Sequence, residues 1–272
     1  MRIGEVRVVD VRGPLTAQRG RLLSLLASLS DEQWAAPTAA PQWPVKDVAL
    51  HLLDVDLSRL ARDRDHEQAG VIPGSGGHEE FVRGLAQRNQ RWVDGARMLS
   101  PQLITGLLRW AGEQFDAYLG TVDLARPSSV HWAGEVPLWF DLAREFTERW
   151  VHYQQIREAA RPAEGDHQHD EHLPLVLRTF IWGFPHQYQA PAPAGTTIAV
   201  ELADIGAWTL TRTATGWTLD EGQAAAPAAS LRMTGDAAWR LLTGASYDAR
   251  QVQLSGEPAL AEPLLHVRGI IV

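Results

Sequence analysis

Cysteine is absent from all 272 residues. That one absence excludes disulfide staples and thiolate zinc sites, so any metal is held by histidine and carboxylate. Any thiol chemistry would need a thiol brought in from outside. A basic excess is missing as well: 25 Lys and Arg stand against 33 Asp and Glu, a formal charge of -8. With nothing to neutralise a run of phosphates, a nucleic-acid groove is not expected. No apolar run reaches the length of a membrane span, and "MRIGEVRVVDVRG" lacks the apolar core of a signal peptide. The expected setting is therefore cytoplasmic, with no membrane partner. Tyr and Met are scarce, at 4 and 3, whereas Trp is abundant at 11. Such large rigid rings at helix positions point to an interior or cleft walled by indoles. The length suffices for one large domain or two ordinary ones with a real core.

The apolar spacing divides the chain into two styles. In the first, "PLTAQRGRLLSLLASLS" places Leu15, Leu22, Leu25, Leu26 and Leu29 on one side of a helix. The valine-alternating "EVRVVDVRG" before it suits an edge strand, and the Ala- and Pro-rich "DEQWAAPTAAPQWP" after it suits a loop. A second helix is expected from about Val45 to about Arg64, opened by Pro44. The Gly-rich "EQAGVIPGSGGHEE" has no preceding strand and no Gly-Lys-Ser/Thr ending, so it is a connector rather than a phosphate loop. Two more helices follow, "HEEFVRGLAQRNQRWVDGARML" and "PQLITGLLRWAGEQFDAYLG". After the turn-rich "ARPSSVHWAGEVP", a further helix runs from about Leu138 to Ala160. Beyond the polar "RPAEGDHQHDEHLP" the pattern changes. "PLVLRTFIWGFPHQY" reads as one helix ended by Pro185. "TTIAVELADIGAWTLTRTATGWTLDEG" alternates like a β-meander. "ASLRMTG" and "QVQLSG" are further strands, "DAAWRLLTG" a short helix ended by Gly244, and "EPALAEPLLHV" a closing helix. The expected architecture is a helical region over residues 1–165 and an α+β region over residues 166–272.

Inside "EFTERWVHYQQIREAA", Glu148 and His152 stand one turn apart. At about 100° per residue, Trp139, Ala143, Phe146, Trp150 and Tyr153 form the broad apolar side, and the Glu–His pair lies away from its centre, nearer Asp141 and Glu145. Viewed alone, the pair reads as exposed and worth only about 0.2–0.5 kcal/mol. A third contributor is available in "WPVKDVALHLLDVD", where His51 is flanked by Val48 and Val55. Two histidines and a carboxylate on two helices would make a site for zinc or a similar divalent ion, with one coordination position left open, as in catalytic sites. A competing cluster, His167, His169 and His172 in "DHQHDEH", sits in a polar stretch and reads as an incidental surface binder.

"QWPVKDVALHLLDVD" resembles the start of the second helix in the DinB-like, mycothiol-dependent maleylpyruvate isomerase family. "NQRWV", Asn89 to Val93, resembles its third-helix signature, and "EFTERWVHYQQIREA" its last bundle helix. The region holding "AAWRLLTG" and "LSGEPALAEPLL" resembles the family's sterol-carrier-type α+β domain. The resemblance implies an N-terminal four-helix bundle, with the metal-ligand roles on His51, Glu148 and His152. It also implies a zinc-type enzyme using mycothiol or another small thiol, acting on a small electrophilic substrate. In the isomerase the thiolate would add to an activated enoyl acid, and elimination after bond rotation would give the trans isomer. One departure stands out: where members often carry an Arg after the Gly that ends the short C-terminal helix, Gly244 is followed by Ala245 and Ser246. Arg240 and Arg250 are the nearby candidates for that substrate-anchoring role. Two other readings stay open, a thiol S-transferase acting on electrophilic toxins and a non-enzymatic binder of metal and an apolar ligand.

Overall fold

The computed structural model describes residues 8–40, 42–68, 78–130, 134–160 and 170–269. They fall into two compact units, one helical and one built on a β-sheet. The proposed edge strand lies in part outside the described residues, and its described part, 8–13, contains no strand. Most of the Gly-rich connector and of "RPAEGDHQHDEHLP" also lies outside them. Among the described residues no helix is long and apolar enough to cross a membrane.

The helical unit contains α1 (Arg12–Ala27), α2 (Asp31–Trp34), α3 (Val45–Arg59), α4 (His78–Ala96), α5 (Pro101–Leu119) and α6 (Leu138–Ala160). A wider π-type turn, Leu60–Arg64, continues α3. Local chemistry explains several boundaries. Ser30 opens α2 with a reciprocal capping box to Gln33, so "DEQW", expected as loop, is a one-turn helix. Ser100 caps α5 ahead of Pro101. The stretch expected to be turns pairs instead as a hairpin, β1 (Pro127–Val130) with β2 (Gly134–Pro137). Strands of four residues are too short to display a readable alternation, but Val130 and Val136 are both buried.

α3 is the centre of this unit, packed against α4, α5 and α6. Val48, Ala49, Leu50, His51, Leu53, Asp47, Asp54 and Asp56 are all buried. The carboxylates tolerate this because arginines from neighbouring helices meet them. Asp47 receives Arg97 at 2.7 Å, Asp54 receives Arg88 at 3.0 Å, and Asp56 receives Arg149 of α6 at 2.8 Å. Arg59 reaches the other way, to Asp141 of α6 at 2.6 Å and to Asp63 at 2.8 Å. Glu145 accepts from Arg149 at 3.0 Å and from Arg144 at 2.5 Å. The apolar core fills the space between: Leu15, Leu26, Ile104, Leu108, Phe115, Phe146 and Trp150 are essentially inaccessible.

The second unit carries a five-stranded sheet in the order β5-β4-β3-β6-β7, with β3 (Thr197–Leu202), β4 (Gly206–Arg212), β5 (Trp217–Glu221), β6 (Ala229–Met233) and β7 (Val252–Gly256). The expected meander is present, and β6 joins it parallel to β3 while all other pairs are antiparallel. Its helices are α7 (Leu173–Ile181), α8 (Phe184–Gln187), α9 (Gly235–Leu242) and α10 (Pro258–Ala261). The single helix expected to run from Pro174 to Pro185 stops instead at Ile181, and a second short helix follows. Pro185 does not end the first helix but sits in the opening turn of the next, where a missing N–H costs nothing. Tyr188, buried against Trp217 with ring centroids 4.9 Å apart, donates to the Leu260 carbonyl at 2.8 Å.

Removing one partner from a buried ion pair strands the other, at about 3–5 kcal/mol. Arg59 and Asp141 are both at least 95% buried by side chain. Arg59→Met is therefore expected to lower the unfolding free energy by about that amount, read as a shift in the urea midpoint. A shift below about 1 kcal/mol would show that the pair contributes no such burden.

Candidate metal centre

The antiparallel ladder between α3 and α6 continues past its ion pairs to three donor groups. Asp56 meets Arg149, and about one turn further along α3 His51 meets Glu148 and His152. The Nε2 atom of His51 lies 3.0 Å from Oε1 of Glu148. The two imidazoles stand edge to face, with centroids 4.8 Å apart. One donor atom from each of His51, Glu148 and His152 can be chosen so that all three lie within 4.8 Å of one another. Among the described residues no fourth histidine or carboxylate joins them.

The site is partly enclosed, with His51 buried and Glu148 and His152 half-buried. His51 is 3% exposed, and the Glu148 side chain retains 14% of its accessible surface. The exposed Glu–His pair read from the helical wheel is thus a mostly buried one, because α3 covers the face of α6 that carries it. Trp43 forms a wall, its ring centroid 5.0 Å from that of His51, and is itself held by a bond from its indole N–H to Gln90 Oε1 at 3.0 Å. From α4, Trp92 donates to the Leu50 carbonyl at 3.0 Å, beside His51 in the chain.

Burial pushes the Glu148 carboxyl up, but the His51 hydrogen bond and the neighbouring His51 and Arg144 outweigh it and hold the group down at about 2. It is ionised at neutral pH. Burial pushes His152 down to about 4, with His51 adding to the effect and Glu148 opposing it. Its ring is neutral at pH 7, with a lone pair to offer. The Nδ1 atom of His152 lies 2.8 Å from Gln155 Oε1. Nδ1 of His51 is buried with no hydrogen-bond partner. Two imidazoles and a carboxylate are a donor set known from three-ligand zinc sites. With ligand bonds of about 2.0–2.2 Å, tetrahedral neighbours stand roughly 3.4 Å apart, so a modest closure of side chains would suffice.

The other candidates lie in the sheet unit. Arg240 is tied to Asp236 at 3.1 Å and lies over the Trp239 ring. Arg250 is tied to Asp248 at 2.7 Å. Of the "DHQHDEH" cluster, His167 and His169 lie outside the described residues. His172 is buried rather than a surface ligand, at the start of α7. Gln155 and Gln90 escaped the sequence reading. The signal available for Gln155 was an amide three residues after a candidate ligand histidine, on the same face of the helix.

A family model, the mycothiol maleylpyruvate isomerase N-terminal domain, matches residues 15–157. Among solved structures, a crystal structure of the mycothiol-dependent maleylpyruvate isomerase is similar at a TM-score of 0.55 and 12% identity, over 94% of this chain and 97% of that one. A histidine-to-alanine mutant of that enzyme is similar over the same shares at 0.50 and 12%. At such identities the likeness is one of fold: a helical N-terminal region followed by a β-sheet domain. No curated protein matches the chain in sequence.

Both titrating groups bind protons more weakly when folded: Glu148 at about 2 against 4.5, His152 at about 4 against 6.5. The unfolded chain therefore takes up the extra protons, and stability must fall as pH falls. The His152 contribution is lost from 6.5 towards 4, and the Glu148 contribution from 4.5 towards 2. In metal-free protein, Glu148→Gln should flatten the lower part of the stability profile, measured by urea unfolding across that range. Parallel profiles for variant and wild type would contradict the assignment.

Proposed function

Because the chain belongs to the family defined by the mycothiol maleylpyruvate isomerase N-terminal domain, we propose that it is a divalent-metal enzyme working with mycothiol or a similar small thiol. Its reaction in this reading is a maleylpyruvate-type cis–trans isomerisation. Residues 1–165 are then a DinB-like four-helix bundle that carries the metal, and residues 166–272 a sterol-carrier-type α+β domain. The observation that carries the reading is the convergence of His51, Glu148 and His152 within the helical unit.

Zinc suits the donor set, with three protein ligands and a position left for the thiol. A bound divalent ion lowers the pKa of a coordinated thiol, so that thiolate is available near neutral pH. Residues of the chain do the rest. His51 and His152 would supply the nitrogen ligands. Glu148 brings one negative charge and tempers that of the ion. Trp43, its ring tilted against that of His51, covers one side of the imidazole. The lack of a fourth histidine or carboxylate among the described residues favours a catalytic site over a purely structural one.

A second reading has its own support. Gly244 is followed by Ala245 and Ser246, and Arg240 and Arg250 are each engaged by a local carboxylate. A carboxylate-bearing enoyl acid would have to compete with those carboxylates for Arg240 or Arg250 as its anchor. A metal-dependent thiol S-transferase for uncharged electrophiles uses the same metal and needs no such anchor.

Elemental analysis of the native protein should find about one equivalent of zinc or a similar divalent ion. His51→Ala, Glu148→Ala and His152→Ala should each lose it while keeping their helix content by circular dichroism. Full metal retention in His51→Ala would overturn the site. With the metal-loaded enzyme and mycothiol, isomerisation of maleylpyruvate supports the first reading. Thiol consumption with a model haloarene and no isomerisation supports the second.

A further inference from the structure

The two histidines of the cluster are held differently. Nε2 of His51 faces Glu148 and its Nδ1 is buried without a partner. His152 has the reverse arrangement: its Nδ1 is engaged by Gln155 Oε1 at 2.8 Å. A carboxamide oxygen only accepts hydrogen bonds. The hydrogen of the neutral ring therefore sits on Nδ1, and the lone pair is on Nε2. Gln155 lies three residues after His152 on α6, a spacing at which side chains of a helix meet. Lys, Leu or Glu would extend the helix about equally well, so helix formation does not account for a glutamine there.

We propose that Gln155 is a positioning residue that selects the metal-binding tautomer of His152. The inference rests on the metal reading above. By accepting from Nδ1–H it keeps Nε2 unprotonated and restrains rotation of the ring. Outer partners of this kind orient metal-binding imidazoles and raise their basicity, and losing one typically loosens metal by about 10- to 100-fold. His51 has no such partner on its second nitrogen, so His152 is the better prepared of the two ligands.

The test begins without metal. In uniformly 15N-labelled, metal-free protein at neutral pH, long-range proton–nitrogen spectra should show the His152 ring protonated at Nδ1 and bare at Nε2. In Gln155→Leu that preference should be lost, and zinc affinity, read by competition with a chromophoric chelator, should fall by about 10- to 100-fold with helix content unchanged. Gln155→Glu presents only acceptors, so it should retain the Nδ1–H form and bind zinc at least as tightly as wild type. A wild-type ring protonated at Nε2, or undiminished zinc affinity in Gln155→Leu, would overturn the proposal. Wild-type protein that takes up no zinc would instead refute the metal reading, and the metal-free spectra would still decide the role of Gln155.

Discussion

The burial of opposite charges between α3 and α6 sets the register on which the candidate site depends. Side-chain pairs tie the two helices together at several points. Arg59 meets Asp141, Asp56 meets Arg149, and His51 meets Glu148. At the far end, Gln33 of α2 donates to the carbonyl of Ala160, the last residue of α6. Apolar surfaces slide past one another at modest cost, because one methyl replaces another. Charges do not. A shift of one helical turn would leave a buried guanidinium beside a wrong partner at more than one rung, and each such loss is of the order of several kcal/mol. The imidazole of His51 is delivered to Glu148 by interactions that lie elsewhere along the ladder.

That arrangement leaves a residue of charge. Asp141, Glu145 and Asp56 each have a guanidinium in bonding contact, from Arg59, Arg144 or Arg149, and Asp63 has Arg59 and Arg62. Among the described residues, Glu148 is the carboxylate of this set whose bonding contact is an imidazole alone. It nonetheless stays ionised while half-buried, held so by the His51 hydrogen bond and the nearby His51 and Arg144. A cation placed against Glu148 and the two imidazoles would complete the pattern that the rest of the ladder already follows. The donor set and the charge around it are compatible with such an occupant.

Much of this was legible in the sequence, and the parts that were not share a cause. Helix periods set the long elements of the helical unit, and period-two alternation set the meander, because both signals are repeated over many residues. The one-turn α2, the four-residue hairpin strands and the break before Pro185 are too short to repeat anything. For the site, Glu148 and His152 were readable as an i, i+4 pair and His51 as a histidine among valines. Their burial was not readable. A wheel ranks faces by polarity, and it placed Glu148 beside Asp141 and Glu145 on what looked like a solvated side. Those acids are inside because the facing helix supplies arginines, a fact that resides in pairs of residues some 80 to 100 positions apart. Gln155 was missed for a related reason. An amide on a helix is unremarked until the direction of its oxygen is known.

The ladder also bears on why a protein would retain so many buried charges. Replacing a buried ion pair with well-packed apolar groups is often neutral or even stabilising, so stability alone is a poor reason for Arg59, Arg149, Asp56 and Asp141. Apolar replacements would keep α3 and α6 together and would still bury His51. They would not specify which turn of α6 it faces. A site whose donors come from two helices needs that specification to within a fraction of a turn, since the ligand shell of a small ion tolerates little error. On this view the charges between α3 and α6 serve the three donors beside them: desolvation is the cost, and a unique alignment of His51 with Glu148 and His152 is what results. The same logic extends inward to Gln155, which sets a ring nitrogen as the ion pairs set a helix.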